Sequence, residues 1–266
     1  MKPICRITTL FMLSLLLINF STAGNAILDP VCDTLVVEDW IQTLRLEDVD
    51  SDGKPTIYVG TGGQGTVAEY EYSYPDCTLN WEARHKYMTG GSVLEIEFGD
   101  LNSDGVTDLL VNGRPSPTSN QPSKFIYLLD SRLLTRLWDD EKTCAQSNTV
   151  SSADLDDDGV PNIVSGADSG LVCAYEDAVT KQEKIMWMHR APFKVFAVYA
   201  QDLGGDGQAE VLVASGRNRL WTTIQKLGSQ GKVEWEKNLS GGLMRPGKDL
   251  VKVVDVTGDG RKEVVV

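Results

Sequence analysis

The sequence holds 266 residues with a formal net charge of −13. A surface this acidic repels phosphate backbones, so nucleic acid is excluded as an expected partner. Many of the carboxylates fall in five short loops, where bound divalent cations would neutralise them, so the bare count overstates the working charge.

Residues 1–26 (MKPICRITTLFMLSLLLINFSTAGNA) carry Lys2 and Arg6, an apolar run from Leu10 to Phe20, and small residues suited to cleavage after Ala23 or Ala26. This is the pattern of an export signal. The run is shorter than the roughly 20 residues a spanning helix needs, and Cys5 lies too early for a lipoprotein attachment site. The expected organisation is a signal peptide over 1–26 and one domain over 27–266. That domain is secreted or at the cell surface, without a membrane span. Loss of Lys2 and Arg6 takes the mature charge to −15, since residues 1–26 contain no Asp or Glu. Four cysteines then remain, Cys32, Cys77, Cys144 and Cys173, an even number that predicts disulfides in an exported chain. Three connectivities are open. Cys32–Cys77 with Cys144–Cys173 is favoured because each pair joins the same or adjacent repeats.

The five acidic loops are DVDSDGKPT from Asp48, DLNSDGVTD from Asp100, DLDDDGVPN from Asp154, DLGGDGQAE from Asp202 and DVTGDGRKE from Asp255. Their starts are 52, 54, 48 and 53 residues apart, the spacing of one supersecondary unit repeated along the chain. Each loop lies between alternating or apolar stretches, which predicts strands on both sides. A third strand is expected over 66–73, 124–130, 171–177 and 219–227, and a fourth over 78–84, 135–140, 184–190 and 232–238. The fourth places Trp81, Trp138, Trp187 and Trp235 at one position of the repeat, where a large ring would pack on the neighbouring unit. Four strands per unit with little helix predict an all-β fold, a β-propeller of four-stranded antiparallel blades. A β-solenoid is the alternative. Four units are complete, and the fifth reaches only the strand after its loop. The expectation is therefore a propeller cut within its fifth blade, or one closed through an N-terminal strand drawn from residues 27–47.

In the second loop, oxygen-bearing side chains stand at positions 1, 3, 5 and 9 (Asp100, Asn102, Asp104, Asp108), and Gly105 at position 6 permits the sharp turn. That set suits a hard cation taking six to eight oxygens, so calcium is the expected cofactor, structural and at several sites. An EF-hand would need a bidentate Glu at position 12 and a following helix; here position 12 is Val111, within a predicted strand. The third loop offers Asp154, Asp156, Asp158 and Asn162; the first offers Asp48, Asp50, Asp52 and only Thr56 at position 9. The fifth offers Asp255, Thr257, Asp259 and the longer Glu263. The fourth ranks last, because Gly204 contributes nothing between Asp202 and Asp206 and leaves Glu210 to compensate. Asp, Asn and Gly also favour plain turns, but five loops in register with carboxylates at alternate positions favour metal.

With the D-x-D-x-D-G-x-x-D loop running into an apolar strand and a glycine (Gly60, Gly113, Gly166), the chain resembles the FG-GAP and VCBS repeats of integrin α-subunits and secreted microbial proteins. The resemblance spans about 30–266. It implies a calcium-braced propeller, and in integrins such loops lie on the face away from the ligand. It does not fix an activity, since similar propellers serve as adhesion heads, lectin-like modules, scaffolds and bodies of polysaccharide lyases. The short segment 231–237 (GKVEWEK) is also similar to one strand of quinoprotein-type repeats.

Two functions follow. The first is an extracellular binding, adhesion or scaffold module for a protein or glycan, using the loops opposite the metal end. The second is the propeller body of a carbohydrate-active enzyme such as a polysaccharide lyase. Only His85 and His189 offer imidazole bases, and neither HExxH nor GxSxG occurs. Arg114–Ser123 is a Pro/Ser-rich insertion suited to a partner-contacting tip. Asn238-Leu239-Ser240 is a glycosylation sequon that matters only in a eukaryotic host.

Overall fold

The stretch entering each acidic loop pairs antiparallel with the stretch leaving it, so each loop is the turn of a hairpin. The structure is a computed structural model. It describes residues 39–63, 65–70, 72–73, 78–79, 85–115, 125–139, 144, 146–176, 184–217, 221–240, 251–258 and 262–265. The export signal, Cys32, Cys77, Trp81, Asp259 and most of the Pro/Ser-rich insertion fall outside these residues.

The first sheet contains β1 (Ile41–Glu47), β2 (Thr56–Thr61) and β3 (Thr66–Tyr70). A two-stranded hairpin of β4 (Tyr72–Ser73) and β5 (Thr78–Leu79) follows, and β6 (His85–Met88) supplies the fourth strand. The second sheet is β7 (Gly91–Gly99), β8 (Asp108–Pro115), β9 (Ile126–Asp130) and β10 (Arg136–Asp139). The third is β11 (Ser147–Ala153), β12 (Asn162–Ala167), β13 (Leu171–Glu176) and β14 (Lys184–Arg190). The fourth is β15 (Lys194–Gln201), β16 (Glu210–Arg217), β17 (Trp221–Leu227) and β18 (Val233–Ser240). A fifth hairpin pairs β19 (Lys252–Val254) with β20 (Glu263–Val265). The expected third strands are all present. In the first unit the expected fourth strand at 78–84 is displaced: β3 pairs instead with β6, in a register that sets Glu69 opposite His85.

The first strand of each sheet packs on the preceding sheet: β7 lies on β1 and β2, β11 on β7 and β8, and β15 on β11 and β12. Both faces of a sheet are thereby covered, which is why runs such as Ile126–Asp130 and Asn162–Ala167 are buried throughout rather than on alternate residues. Apolar clusters fill each interface. Leu110, Ile126 and Leu128 of the second sheet meet Val150, Ile163 and Tyr175 of the third, and Val164, Val172 and Val198 lie among those between third and fourth. Four consecutive four-stranded meanders stacked face to face, then a fifth hairpin, are the blades of a β-propeller.

The repeated tryptophan behaves as the repeat predicts where a following blade stands beside it. Trp138 is buried and meets Tyr175 of the next blade edge-on at 5.7 Å between ring centroids. Trp187 donates its indole N–H to the Ser229 carbonyl of the next blade at 2.7 Å. Trp235, on the last four-stranded blade, is 47% exposed.

A β-bulge recurs near the start of the first strand in all four blades, at Gln42, Leu94, Asn148 and Phe196. A bulge inserts one residue and re-aims a side chain, and here it turns Asn148 and Phe196 toward the end of the blades opposite the acidic loops. The glycines that close the second strands sit where blades approach each other. A Cβ on Gly60 would lie 2.5 Å from Val93 Cγ1 of the following blade, and one on Gly166 would strike Val195 of the following blade. Gly166→Ala should therefore cost about 1–3 kcal/mol through overpacking, read as a lower urea midpoint with an unchanged slope; an unaltered midpoint would show that the blades separate freely.

Cys144, before β11, is disulfide-bonded to Cys173 of β13, and both are buried beside Trp138. This is one of the two favoured pairs.

Candidate functional site

Because every blade enters its acidic loop from its first strand and leaves on its second, the loops share one end of the stack. The aspartate at position 1 organises each loop through backbone N–H donors. Asp100 accepts from Asp104 N (3.0 Å) and Gly105 N (2.9 Å), and Asp154 accepts from Asp158 N (3.2 Å) and Gly159 N (2.8 Å). Asp48 does the same for Asp52 and Gly53, and Asp202 for Asp206 and Gly207. In the fifth loop Asp255 accepts from Gly258 N at 2.5 Å. The side chain at position 9 closes the loop by accepting the N–H at position 2: Asp108 from Leu101 (3.2 Å), Asn162 from Leu155 (2.7 Å), Glu210 from Leu203 (2.8 Å) and Glu263 from Val256 (2.8 Å). Thr56, at position 9 of the first loop, begins β2.

Two left-handed residues make this path possible. Position 6 has φ of +83°, +81°, +86° and +89° at Gly53, Gly105, Gly159 and Gly207, as the glycine signature predicts. Position 4 is also left-handed, at Ser51, Ser103, Asp157, Gly205 and Gly258. The available signal for this second turn was the small or Asx residue recurring at that place, which sequence reading passed over.

The loops differ in what they gather. Oxygens of Asp48, Asp50 and Asp52 lie within 4.8 Å of one another, as do those of Asp154, Asp156 and Asp158. Burial first, then the neighbouring Asp158 carboxylate, raises the Asp156 pKa. The second loop has Asn102 in place of the middle carboxylate, with its Oδ1 2.9 Å from Asp104 N. Asp108 there is fully buried, and its Oδ1 has no hydrogen-bond partner among the described residues. Burial, reinforced by Asp104, Asp100 and Asp130 against the Leu101 N–H, pushes its pKa up to about 7. A buried carboxylate oxygen without a donor, beside two more carboxylates, fits a bound cation. Arg132 lies 4.0 Å from Asp104 but is committed to Asp130 at 2.6 Å. In the fifth loop Thr257 Oγ1 lies 3.5 Å from Glu263 Oε1. In the fourth, the ammonium of Lys226 on β17 pairs with Glu210.

The opposite end is cationic and aromatic. Arg114 of the second blade donates to Asn148 of the third at 3.0 Å. Asn148 donates in turn to Asp168, which also pairs with Lys194 of the fourth blade. Burial would raise the Asp168 pKa, but Lys194, Asn148 and Arg114 outweigh it and hold the carboxyl below its usual value. A depressed folded-state pKa gives stability that is present above the unfolded value and lost as pH falls through the folded one. Asp168→Asn should therefore lower melting at neutral pH and leave melting in acid, where wild-type Asp168 is protonated, nearly unchanged. An equal loss at both pH values would remove the charge argument.

Beside this clamp lies an open cleft of about 410 Å³ lined by Pro192, Phe193, Lys194, Phe196, Gly216 and Arg217. The exposed Arg217 has no ion-pair partner among the described residues. The two histidines are held on separate blades, His85 Nδ1 at 2.8 Å from Glu69 and His189 Nε2 at 3.2 Å from Gln225.

The sequence profile described as an FG-GAP-like repeat matches residues 48–111, from the first acidic loop through the second and into β8. Among solved structures, the chain is similar to the WD40 domain of coronin from Toxoplasma gondii. The TM-score is 0.58 at 10% identity, over 80% of this chain and 50% of that one. It is also similar to a chain in an active polycomb repressive complex 2 in the basal state, with a TM-score of 0.53 at 12% identity over 73% of this chain and 39% of that one. The chain thus spans half or less of the length of these structures, and at such identity the likeness concerns the fold alone. A search of curated proteins gives no match. The protein is a β-propeller. Within it, residues 48–111 are similar to an FG-GAP-like repeat, and the acidic loop that opens that stretch recurs from Asp154, Asp202 and Asp255.

Proposed function

We propose that this chain is an extracellular, calcium-stabilised binding or scaffold module that braces its blades with metal at one end and holds a protein or glycan at the other. The observation that carries the reading is the chemical division between the two ends. The acidic loops collect carboxylates, and the cleft collects two phenylalanine rings, the exposed Arg217 and Lys194, whose ammonium pairs with Asp168. Calcium would be held by Asp48, Asp50, Asp52 and Thr56, by Asp100, Asn102, Asp104 and Asp108, by Asp154, Asp156, Asp158 and Asn162, and by Asp255, Thr257, Asp259 and Glu263. Bound there, it would neutralise the clustered charge and fix each hairpin turn. The disulfide and the export pattern of residues 1–26 support an oxidising, external setting. Among the described residues no helix is long and apolar enough to cross a membrane.

Glycan and peptide arrays run beside a reducing-sugar release assay test the reading. Binding without turnover, reduced in Arg217→Ala and with melting unchanged, is the expected result. Release of reducing ends would favour the carbohydrate-active alternative. Binding that ignores Arg217 would move the ligand away from the cleft.

A further inference from the structure

The fourth loop differs from the others in ligands and in what stands behind it. Position 3 is Gly204, so one oxygen of the set is missing. Position 9 is Glu210, whose two oxygens are both engaged: Oε2 accepts from Leu203 N at 2.8 Å, and Oε1 meets the Lys226 ammonium. Lys226 stands opposite Leu212 on the neighbouring strand, diagonal to Glu210, the placement in which long cross-strand side chains meet. A bulge between β17 and β18 adds Glu234, whose Oε2 lies 3.4 Å from the same ammonium. The lysine is largely buried, with 27% of its side chain exposed, so its position is set by packing as well as charge. The corresponding strand position holds Glu69 in the first blade, Leu128 in the second and Ala174 in the third. Among these four blades only the fourth places a cation there. Arg132, the nearest comparable group, stands 4.0 Å from Asp104 and serves Asp130 instead.

We infer that the fourth loop is not a calcium site and that Lys226 supplies its countercharge from within the chain. The ammonium occupies the Glu210 oxygen that would otherwise face an ion, and the absent side chain at Gly204 removes the ligand that would draw a divalent cation past it. This reverses the expectation that Glu210 compensates for Gly204. It makes one blade's turn independent of external calcium.

Three measurements on the full chain decide it. First, calcium bound per chain, counted by equilibrium dialysis, should be the same in wild type and Asp206→Asn; loss of one ion in Asp206→Asn would overturn the inference. Second, with chelator present, Lys226→Met should lower the melting temperature by several degrees, and adding Glu210→Gln should recover most of that loss. Melting unaffected by Lys226→Met would overturn it. Third, a Cβ on Gly204 meets nothing closer than Glu210 Oε1 at 3.5 Å, so an aspartate fits there without displacing backbone. Gly204→Asp combined with Lys226→Met should gain one calcium per chain, and failure to gain it counts against the inference. A wild type that bound no calcium anywhere would defeat the reading of the other loops, while the chelator melts would still judge Lys226.

Discussion

A Cys144→Ala/Cys173→Ala variant should melt about 7–14 °C below the wild type. The bond closes a loop with a sequence separation of 29, and chain-entropy arguments put the destabilisation from its loss at about 3.5 kcal/mol. For a domain of this size each kcal/mol corresponds to roughly 2–4 °C of melting temperature. The bond also ties the segment between two blades to the third strand of the later one, so its loss frees the interface built from Trp138 and Tyr175. Both cysteines are buried, at 1% and 0% exposure. Reductant at neutral pH should therefore leave the bond intact in the native protein and break it only when denaturant opens the interface, as mass spectrometry after alkylation would record. Melting within a degree of wild type, or ready alkylation of the native protein, would show that the interface does not depend on this bond.

That pairing was legible because the repeat places Cys144, on the way into the third blade, and Cys173, on that blade's third strand, in the same or adjacent units. The hairpins were legible for the same reason: a period near 50 residues fixes strand order, and Gly53, Gly105, Gly159 and Gly207 mark the turns. Features set by a neighbouring strand or blade were hidden. The bulges at Asn148 and Phe196 carry no composition signal, yet they place the clamp and the cleft. Trp138 and Trp235 occupy one repeat position and differ in burial, the former being packed edge-on against Tyr175 of the next blade. The fourth strand of the first blade moved from 78–84 to His85–Met88, where Glu69 and His85 join across β3 and β6. Lys226 and Glu210 are separated by a whole hairpin, and only the strand register brings them together.

Chelation of calcium should lower the melting temperature by about 11–22 °C. At free calcium ten times the dissociation constant, each site that binds only the folded chain adds about 1.4 kcal/mol, so the four proposed sites add about 5.6 kcal/mol, converted at roughly 2–4 °C per kcal/mol. Asp104→Ala and Asp158→Ala should weaken calcium binding more than Asp206→Ala, because the fourth loop already holds a lysine. Asp108 gives the sharpest case, since its effect should change sign. Without calcium, its buried carboxylate has one oxygen without a partner and a proton affinity raised by burial, so Asp108→Asn should melt at or above wild type. With calcium, the same change removes a charged ligand while keeping the oxygen that accepts from Leu101, and it should melt below wild type. Crossing melting curves would tie the buried carboxylate to a cation. Parallel curves, or melting indifferent to chelator in the wild type, would remove calcium from this end of the propeller and leave the loops as acidic turns held by their own backbone.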